Sequence, residues 1–237
     1  MRYDILLWDV DGTLMDFKKS EAVALSCTMR DFGFEPTLEK IEDYSRINVS
    51  YWKRLELGEL TKPQVLVGRF AEFLEKHYLD ADPKAFMEKY EYYLSHISFL
   101  QDDSLELCKS LKVKGYKQYI VTNGTIDVQK TKLRETGFDQ IIDVAFISDE
   151  IGVPKPKIEF FETCFEKIFG TSKLDEMQRK RVLIIGDSLS SDMQGGINAG
   201  IDTCWYRNPG EENPEGMPVT YEITDLHQVL DILENRI

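Results

Sequence analysis

The chain has 237 residues, of which 42% are hydrophobic and 30% charged, and its formal net charge at pH 7 is −13. This length and composition exclude a disordered chain and predict either one large domain or a domain with an insert. The negative charge argues against nucleic acid polymers and anionic membranes as partners, and no apolar run approaches the roughly 20 residues of a membrane span, so a cytoplasmic protein is expected.

The first predicted element is a short strand in the segment YDILLWD, residues 3–9, which ends in Asp9. Asp11 and Gly12 follow, and an Asp-Gly pair after a strand is a common hairpin signal. The next pattern is helical, however, because apolar residues recur at a spacing of three or four between Ser20 and Phe32. The absence of a second strand directly after Gly12 disfavours the hairpin.

Residues 34–100 carry only helical patterns, and strand patterns resume after them. The later strands are predicted at 116–123, 144–148, 181–187, 202–206 and 219–223, and helices at 127–136, 157–169, 192–199 and 225–235. This alternation predicts an α/β fold with a Rossmann-like, three-layer core, in which helices cover both faces of a parallel sheet. The helical block is predicted to be an inserted domain at 15–95, and the core to comprise 1–14 and 96–237.

Polar side chains follow several of the predicted strands. They are Asp9 and Asp11 after the first strand, Thr122 and Asn123 after the second, Asp187 and Ser188 after VLIIG, and Lys155 in the loop after VAFIS. Ligands of open parallel sheets bind at the carboxyl ends of the strands, so these side chains are expected to converge. A single aspartate at such a position is most often a turn or cap residue, but several carboxylates at one edge repel each other unless a cation holds them.

A hard divalent cation would resolve this repulsion, since Mg²⁺ prefers oxygen ligands from one or two carboxylates, waters and a phosphate. Asp9 and Asp187 are the natural carboxylate ligands, and Asp11, two residues after Asp9, can reach the same substrate from the loop. A carboxylate can also form an aspartyl-phosphate as a nucleophile, and a second carboxyl group can then serve as acid and base. The side chains expected to bind the transferred phosphate are Thr122, Asn123 and Lys155.

The segments DVDGT, VTNG, GVPKP and GDSLSSD resemble, in order, the four motifs of the haloacid dehalogenase superfamily. The resemblance implies a magnesium-dependent phosphomonoesterase. Its implied residues are Asp9 as nucleophile, Asp11 as acid and base, Thr122 and Lys155 as phosphate ligands, and Asp9, Asp11 and Asp187 as the metal site. Asp192 matches a further acidic position; we interpret it, with Ser188, as supporting the metal ligands or capping a helix, and direct contact with the metal is the alternative. The dehalogenases of the family lack an acidic residue at the position of Asp11, which favours phosphate esters as substrates.

The helical block resembles the cap domain of the same family, which closes over the site and contacts the leaving group. Its segment INVSYWKRLELGELT…GRF, residues 47–70, is similar to the cap of the pyrimidine 5′-nucleotidases. The matching positions are Asn48, Trp52, Glu56, Gly58, Arg69 and Phe70. The resemblance suggests a base-binding role in which Asn48 hydrogen-bonds the edge of the base and Trp52, Tyr51 or Tyr44 stacks on it. The alternative is that these aromatic residues belong to the helical core, with Arg69 and Arg46 as surface or ion-pairing residues.

The function predicted from these resemblances is that of a nucleoside 5′-monophosphate phosphatase of the house-cleaning type, with a preference for pyrimidines. A sugar-phosphate or phosphoglycolate phosphatase is the enzymatic alternative. A phospho-accepting signalling domain is the alternative from another class, but receiver domains place the accepting aspartate on a middle strand, whereas Asp9 follows the first. The expected partner is a small phosphate ester, and the expected oligomeric state is a monomer or a homodimer.

Overall fold

The computed structural model describes residues 2–208, 210–214 and 216–236. The chain divides into two compact units, one formed by Met1–Asp16 together with Leu100–Ile237 and the other by Phe17–Phe99. The first unit contains the sheet and the second is helical. We call them the sheet unit and the helical unit.

The sheet unit contains six parallel strands in the order β3-β2-β1-β4-β5-β6. The strands are β1 Ile5–Trp8, β2 Lys117–Thr122, β3 Val144–Ile147, β4 Val182–Gly186, β5 Asp202–Tyr206 and β6 Tyr221–Ile223. The predicted α/β, three-layer parallel-sheet fold is therefore confirmed. The strands β1, β2, β3, β4 and β6 are shorter than the predicted segments, whereas β5 has the predicted bounds.

Helices and short turns connect these strands. They are α5 Ser104–Val113, α6 Ile126–Thr136, α7 Ser148–Ile151, α8 Ile158–Phe169, α9 Glu176–Arg179, α10 Gln194–Ala199 and α11 Gln228–Leu233, with a 3-10 turn at Phe138–Gln140 and a π-helical segment at Leu189–Met193. The helices predicted at 127–136 and 157–169 correspond closely to α6 and α8. The sequence analysis did not predict α5, a ten-residue helix that begins after Asp103 in a left-handed backbone conformation.

Alternating side chains of the buried strands pack on opposite faces of the sheet. In β1, Leu6 and Trp8 join the hydrophobic cluster that contains residues of α5, α6 and α11. Ile5 and Leu7 join the cluster on the other face, which contains residues of α8 and α10. All four β1 residues are buried. A strand with both faces covered reads as a continuous apolar run, which explains why ILLW shows no polar alternation.

The helical unit consists of α1 Phe17–Asp31, α2 Leu38–Glu56, α3 Lys62–Lys76 and α4 Pro83–His96. Its core is an aromatic cluster of Tyr44, Phe70, Phe73, Phe86 and Tyr90, all fully buried. The ring of Tyr44 stacks on that of Phe70 with centroids 5.1 Å apart. Of the helices that the structure describes, none is long and apolar enough to cross a membrane.

Candidate active site

The direction of strand order reverses between β1 and β4, which is where ligands bind in open parallel sheets. Asp9 follows β1 directly, and its backbone N–H continues the ladder by donating to the carbonyl of Ile185 in β4 at 2.9 Å. Asp187 follows the last residue of β4. The topology therefore brings Asp9 and Asp187 together, as the sequence analysis expected.

Asp9, Asp187 and Asp192 form an acidic cluster, in which one carboxylate oxygen of each residue lies within 4.8 Å of the others. Burial raises the pKa of Asp9 to about 7; the ammonium group of Lys155 acts against this rise, and the charges of Asp192 and Asp11 add to it. Burial, followed by repulsion from Asp9 and Asp192, also raises the pKa of Asp187 well above its usual value. A cation between these carboxylates would remove the repulsion.

Lys155 is the cation that the chain itself supplies to this cluster. Its side chain is 1% exposed, and its Nζ donates to Asp9 Oδ1 at 2.7 Å, to Asp192 Oδ1 at 2.6 Å and to the carbonyl of Val121 at 2.7 Å. Burial alone would lower the pKa of Lys155, but Asp192 and Asp9 hold it above its usual value. One ammonium group against three carboxylates leaves negative charge in excess, so the donor set suits an additional hard divalent cation.

Asp192 is itself a member of the acidic cluster. Its Oδ1 accepts from Lys155, and its Oδ2 accepts from the backbone N–H of Ser188 at 3.1 Å. The proposed cap role of Asp192 is wrong, because Ser188 is the N-cap of the π-helical segment and its hydroxyl accepts from the N–H of Ser191 at 3.1 Å. Asp192 thus anchors Lys155 beside Asp9.

Thr122 is the last residue of β2 and Asn123 follows it, and their side chains have different hydrogen-bond partners. Thr122 is 2% exposed, and its Oγ1 accepts from the backbone N–H of Gly124 at 3.1 Å. The Asn123 amide donates to the carbonyl of Lys155 at 3.0 Å, while its Oδ1 accepts from the N–H of Lys155 at 2.9 Å. Both polar groups of the Asn123 side chain therefore hold the loop that carries Lys155, and its contact with phosphate stays a prediction.

The Asp11 carboxylate is held apart from the acidic cluster, of which it is not a member. Its Oδ1 accepts from Lys132 Nζ at 2.6 Å, and its Oδ2 accepts from Gln129 Nε2 at 2.6 Å. The structure thus gives no support to a metal-binding role for this carboxylate. Lys132 and Gln129 were not predicted as site residues, and the signal that the sequence offered was their spacing of three residues on the helix after VTNG.

Two glycines leave the space that the acidic side chains occupy. A Cβ on Gly12, whose φ is +97°, would lie 2.3 Å from Asp187 Oδ2, and a Cβ on Gly186 would lie 2.3 Å from Asp192 Oδ2. The neighbouring Thr13 hydroxyl donates to Asp187 Oδ1 at 3.2 Å. Gly12 therefore serves a close approach as well as a turn, because no other residue type combines this φ with so little volume.

The candidate substrate-contacting residues lie within the helical unit. Asn48 is 1% exposed, donates to Glu21 Oε1 at 2.7 Å and accepts from Arg69 Nη1 at 2.6 Å, so both of its amide groups are engaged. Tyr44 is fully buried, and Arg69 is 3% exposed rather than a surface residue. We therefore withdraw Asn48 and Tyr44 as base-binding residues. Trp52 is half-buried, with the Arg69 guanidinium 5.7 Å from its ring.

The sequence profile described as "Haloacid dehalogenase-like hydrolase" matches residues 6–206. The chain belongs to this family. The predicted resemblance is thereby confirmed, and the match includes β1 to β5 with the strand ends that carry Asp9, Asp11, Lys155, Asp187 and Asp192.

Three curated relatives are similar to this family member over nearly its whole length. The HAD-hydrolase YfnB of Bacillus subtilis is 36% identical, in an alignment that covers 98% of this chain and 96% of YfnB. The pyrimidine 5′-nucleotidases PynA of Streptococcus pneumoniae and YjjG of Escherichia coli are 33% and 30% identical, with 98% and 99% of their own lengths covered. A crystal structure of YfnB described as bound to magnesium has a TM-score of 0.89, with 34% identity and coverage of 98% of this chain and 99% of that one.

Gly12→Ala tests whether this glycine makes room for Asp187. The new methyl group would meet the Asp187 carboxylate, so we expect the affinity for Mn²⁺, used as a divalent probe, to fall by about 10–100-fold, the range for displacing groups that support a metal site. Isothermal titration calorimetry measures this affinity. Gly33→Ala is the matched control, because Gly33 has a φ of +78° but nothing within 4 Å of an added Cβ. Equal Mn²⁺ affinities of the two variants would contradict the interpretation.

Proposed function

We propose that this member of the family is a magnesium-dependent phosphomonoesterase that acts through an aspartyl-phosphate on Asp9. The observation that carries the proposal is the acidic cluster at the β1/β4 switch point, where Lys155 joins Asp9 to Asp192. A phosphate ester needs positive charge to enter such a site, all the more because the whole chain carries a formal charge of −13. Because the cluster has more carboxylates than ammonium groups, its charge favours the binding of Mg²⁺. The proposed ligands of Mg²⁺ are Asp9 and Asp187.

In the proposed first step, a carboxylate oxygen of Asp9 attacks phosphorus and the bond to the leaving oxygen breaks. Asp11 gives its proton to that oxygen, and in the second step it takes a proton from the water that hydrolyses the acyl-phosphate and restores Asp9. The hydroxyl of Thr122 and the charge of Lys155 stabilise the transferring oxygens. Bound Mg²⁺ would supply positive charge beside the phosphoryl group and reduce its repulsion with Asp9 and Asp187.

For the substrate, we propose nucleoside 5′-monophosphates with a pyrimidine preference. The support is the similarity to two relatives named pyrimidine 5′-nucleotidase, at 33% and 30% identity over almost their full lengths. We assign the choice of leaving group to the helical unit, as its resemblance to a cap domain implies. Trp52 remains the candidate for stacking on the base, since Asn48 and Tyr44 are buried and engaged within that unit.

A panel of phosphate esters tests the substrate proposal. We expect kcat/KM to be highest for pyrimidine nucleoside 5′-monophosphates, lower for purine ones and lowest for glycolate and sugar phosphates, with phosphate release as the measurement. Trp52→Leu should raise KM for the pyrimidine substrates, because loss of base stacking costs about 1–3 kcal/mol, while turnover of p-nitrophenyl phosphate should be retained. A preference for sugar phosphates or phosphoglycolate would instead support the alternative predicted from the sequence.

Removal of the metal is the second test. We expect excess EDTA to abolish phosphate release and added Mg²⁺ to restore it. Without the cation, the carboxylates repel each other and also repel the phosphate. Ca²⁺ should restore activity poorly, because it takes six to eight ligands in a looser geometry than the octahedron of Mg²⁺. Undiminished turnover in EDTA, after dialysis that removes bound metal, would refute the magnesium requirement.

Substitutions of the two aspartates of DVD separate their proposed roles. Asp9→Asn removes the attacking charge, so neither a burst of p-nitrophenol nor turnover above background is expected. Asp11→Asn retains the nucleophile, and nitrophenolate leaves with little protonation, so a burst should precede turnover that is slower by about 10²–10⁴-fold, the usual contribution of a general acid or base. Stopped-flow absorbance measures both phases, and circular dichroism checks the fold. Two equally burst-free variants would argue against the division of roles.

A further inference from the structure

Lys132 and Gln129 are two buried polar residues of the sheet unit to which the proposed reaction gives no role. Each is 1% exposed, and each binds a different oxygen of the Asp11 carboxylate at 2.6 Å. The carboxylate is therefore fixed at both ends by donors from one element, α6. A group that must exchange protons with a substrate gains from such restraint, because a misplacement of 1 Å can cost about 100-fold in rate.

The local structure of α6 places the side chains of Gln129 and Lys132 where both reach Asp11. Residues three apart lie on the same face of a helix, and α6 begins with Thr125 as its N-cap, directly after the VTNG segment. A Cβ on Gly124 would lie 2.2 Å from Gln129 Nε2 and 2.7 Å from Gln129 Cγ, so this glycine leaves the space that the Gln129 side chain fills. Leu133, the residue after Lys132, anchors α6 in the hydrophobic cluster.

Of the two polar groups of the Gln129 amide, only Nε2 has a hydrogen-bond partner among the described residues. Its Nε2 donates to Asp11 Oδ2, whereas its Oε1 is buried and has no hydrogen-bond partner in the part of the chain that the structure describes. An unsatisfied buried carbonyl costs roughly 1–3 kcal/mol, so an apolar side chain would fill this position with less cost to stability. The hydrogen bond to Asp11 is therefore the interaction that favours an amide over an apolar side chain at this position.

The charge of Lys132 also has a specific consequence for Asp11. The turn after β1 carries Asp11 within two residues of Asp9, and Asp11 adds to the negative potential felt by Asp9. A mobile Asp11 carboxylate would be attracted to a divalent cation at the acidic cluster and would then be engaged as a ligand. The buried ammonium group of Lys132, 2.6 Å from Asp11 Oδ1, provides a competing cation for this carboxylate.

We propose that Lys132 and Gln129 are positioning residues that hold the Asp11 carboxylate in its proton-transfer orientation and away from the metal. This inference rests on the proposed function. In the first step the proton of Asp11 passes to the leaving oxygen, which keeps the electron pair of the broken P–O bond; in the second, a water proton returns to Asp11 as the acyl-phosphate is hydrolysed. Lys132 and Gln129 retain their own protons throughout.

The test uses p-nitrophenyl phosphate with the Mg²⁺-loaded full-length protein and its variants Lys132→Met and Gln129→Leu. Each should keep the initial burst of p-nitrophenol, because Asp9 is untouched, while steady-state kcat falls by about 10–100-fold. KM should fall with kcat and leave kcat/KM nearly unchanged, because hydrolysis of the phospho-enzyme limits the steady state. General structural damage would instead reduce the burst and the steady state together. Lys130→Met is the matched control on the same helix, since Lys130 is 57% exposed and pairs with Glu150, and its kinetics should match the wild type.

Combination with Asp11→Asn makes the test specific to Asp11. If both residues act through this carboxylate, Lys132→Met or Gln129→Leu should cause no further loss, within twofold, in the Asp11→Asn background. Gln129→Leu should also leave the melting temperature unchanged or raised, because it removes the unsatisfied carbonyl, so this variant keeps the inference testable even if Lys132→Met does not fold.

The outcomes distinguish the inference from the function on which it rests. A wild-type protein that releases no p-nitrophenol would overturn the proposed function, and the inference with it. An active wild type whose Gln129→Leu variant shows wild-type turnover, or loses burst and steady state equally, would overturn the inference alone. Losses that multiply with that of Asp11→Asn would do the same, since they would show an effect that bypasses Asp11.

Discussion

The constraint on which the site depends is the repulsion among carboxylates gathered at one edge of the sheet. Burial raises the pKa values of Asp9 and Asp187, and repulsion from the neighbouring carboxylates adds to the rise. Lys155 offsets part of it through direct contacts with Asp9 and Asp192. Because the remaining negative charge suits a divalent cation and a phosphate bound together, the charge distribution of the site matches the proposed phosphate-ester chemistry.

Much of the surrounding structure serves to keep these charges in place. Asn123 binds both backbone groups of Lys155, and Ser188 holds the Asp192 oxygen that Lys155 does not. Glycines at the strand ends leave the volume that the acidic side chains need, most clearly at Gly12. These hydrogen bonds and close approaches hold the charged side chains in place, so a substitution that adds only a methyl group is expected to disturb the site.

The helical unit shows how a family resemblance can point to a position and yet misassign its role. Asn48 matches the cap segment of the nucleotidases, but in this chain it joins Glu21 to Arg69 in a buried network beside the aromatic core. Burial of polar groups requires hydrogen-bond partners, and this network provides them. Trp52, which is only half-buried, is therefore the better candidate for specificity.

The sequence by itself determined the parallel α/β core and the convergence of Asp9, Asp187 and Lys155, because apolar runs and strand-end polar residues are local features with one placement in such a sheet. It did not reveal α5, the hydrogen bonds from the Asn123 side chain to the backbone of Lys155, or the burial of Asn48. Only the tertiary structure decided that Asp11 pairs with Lys132 and Gln129, which lie 121 and 118 residues away. Such contacts depend on strand order, on the position of α6 and on the space left at Gly124, and no local pattern encodes that combination.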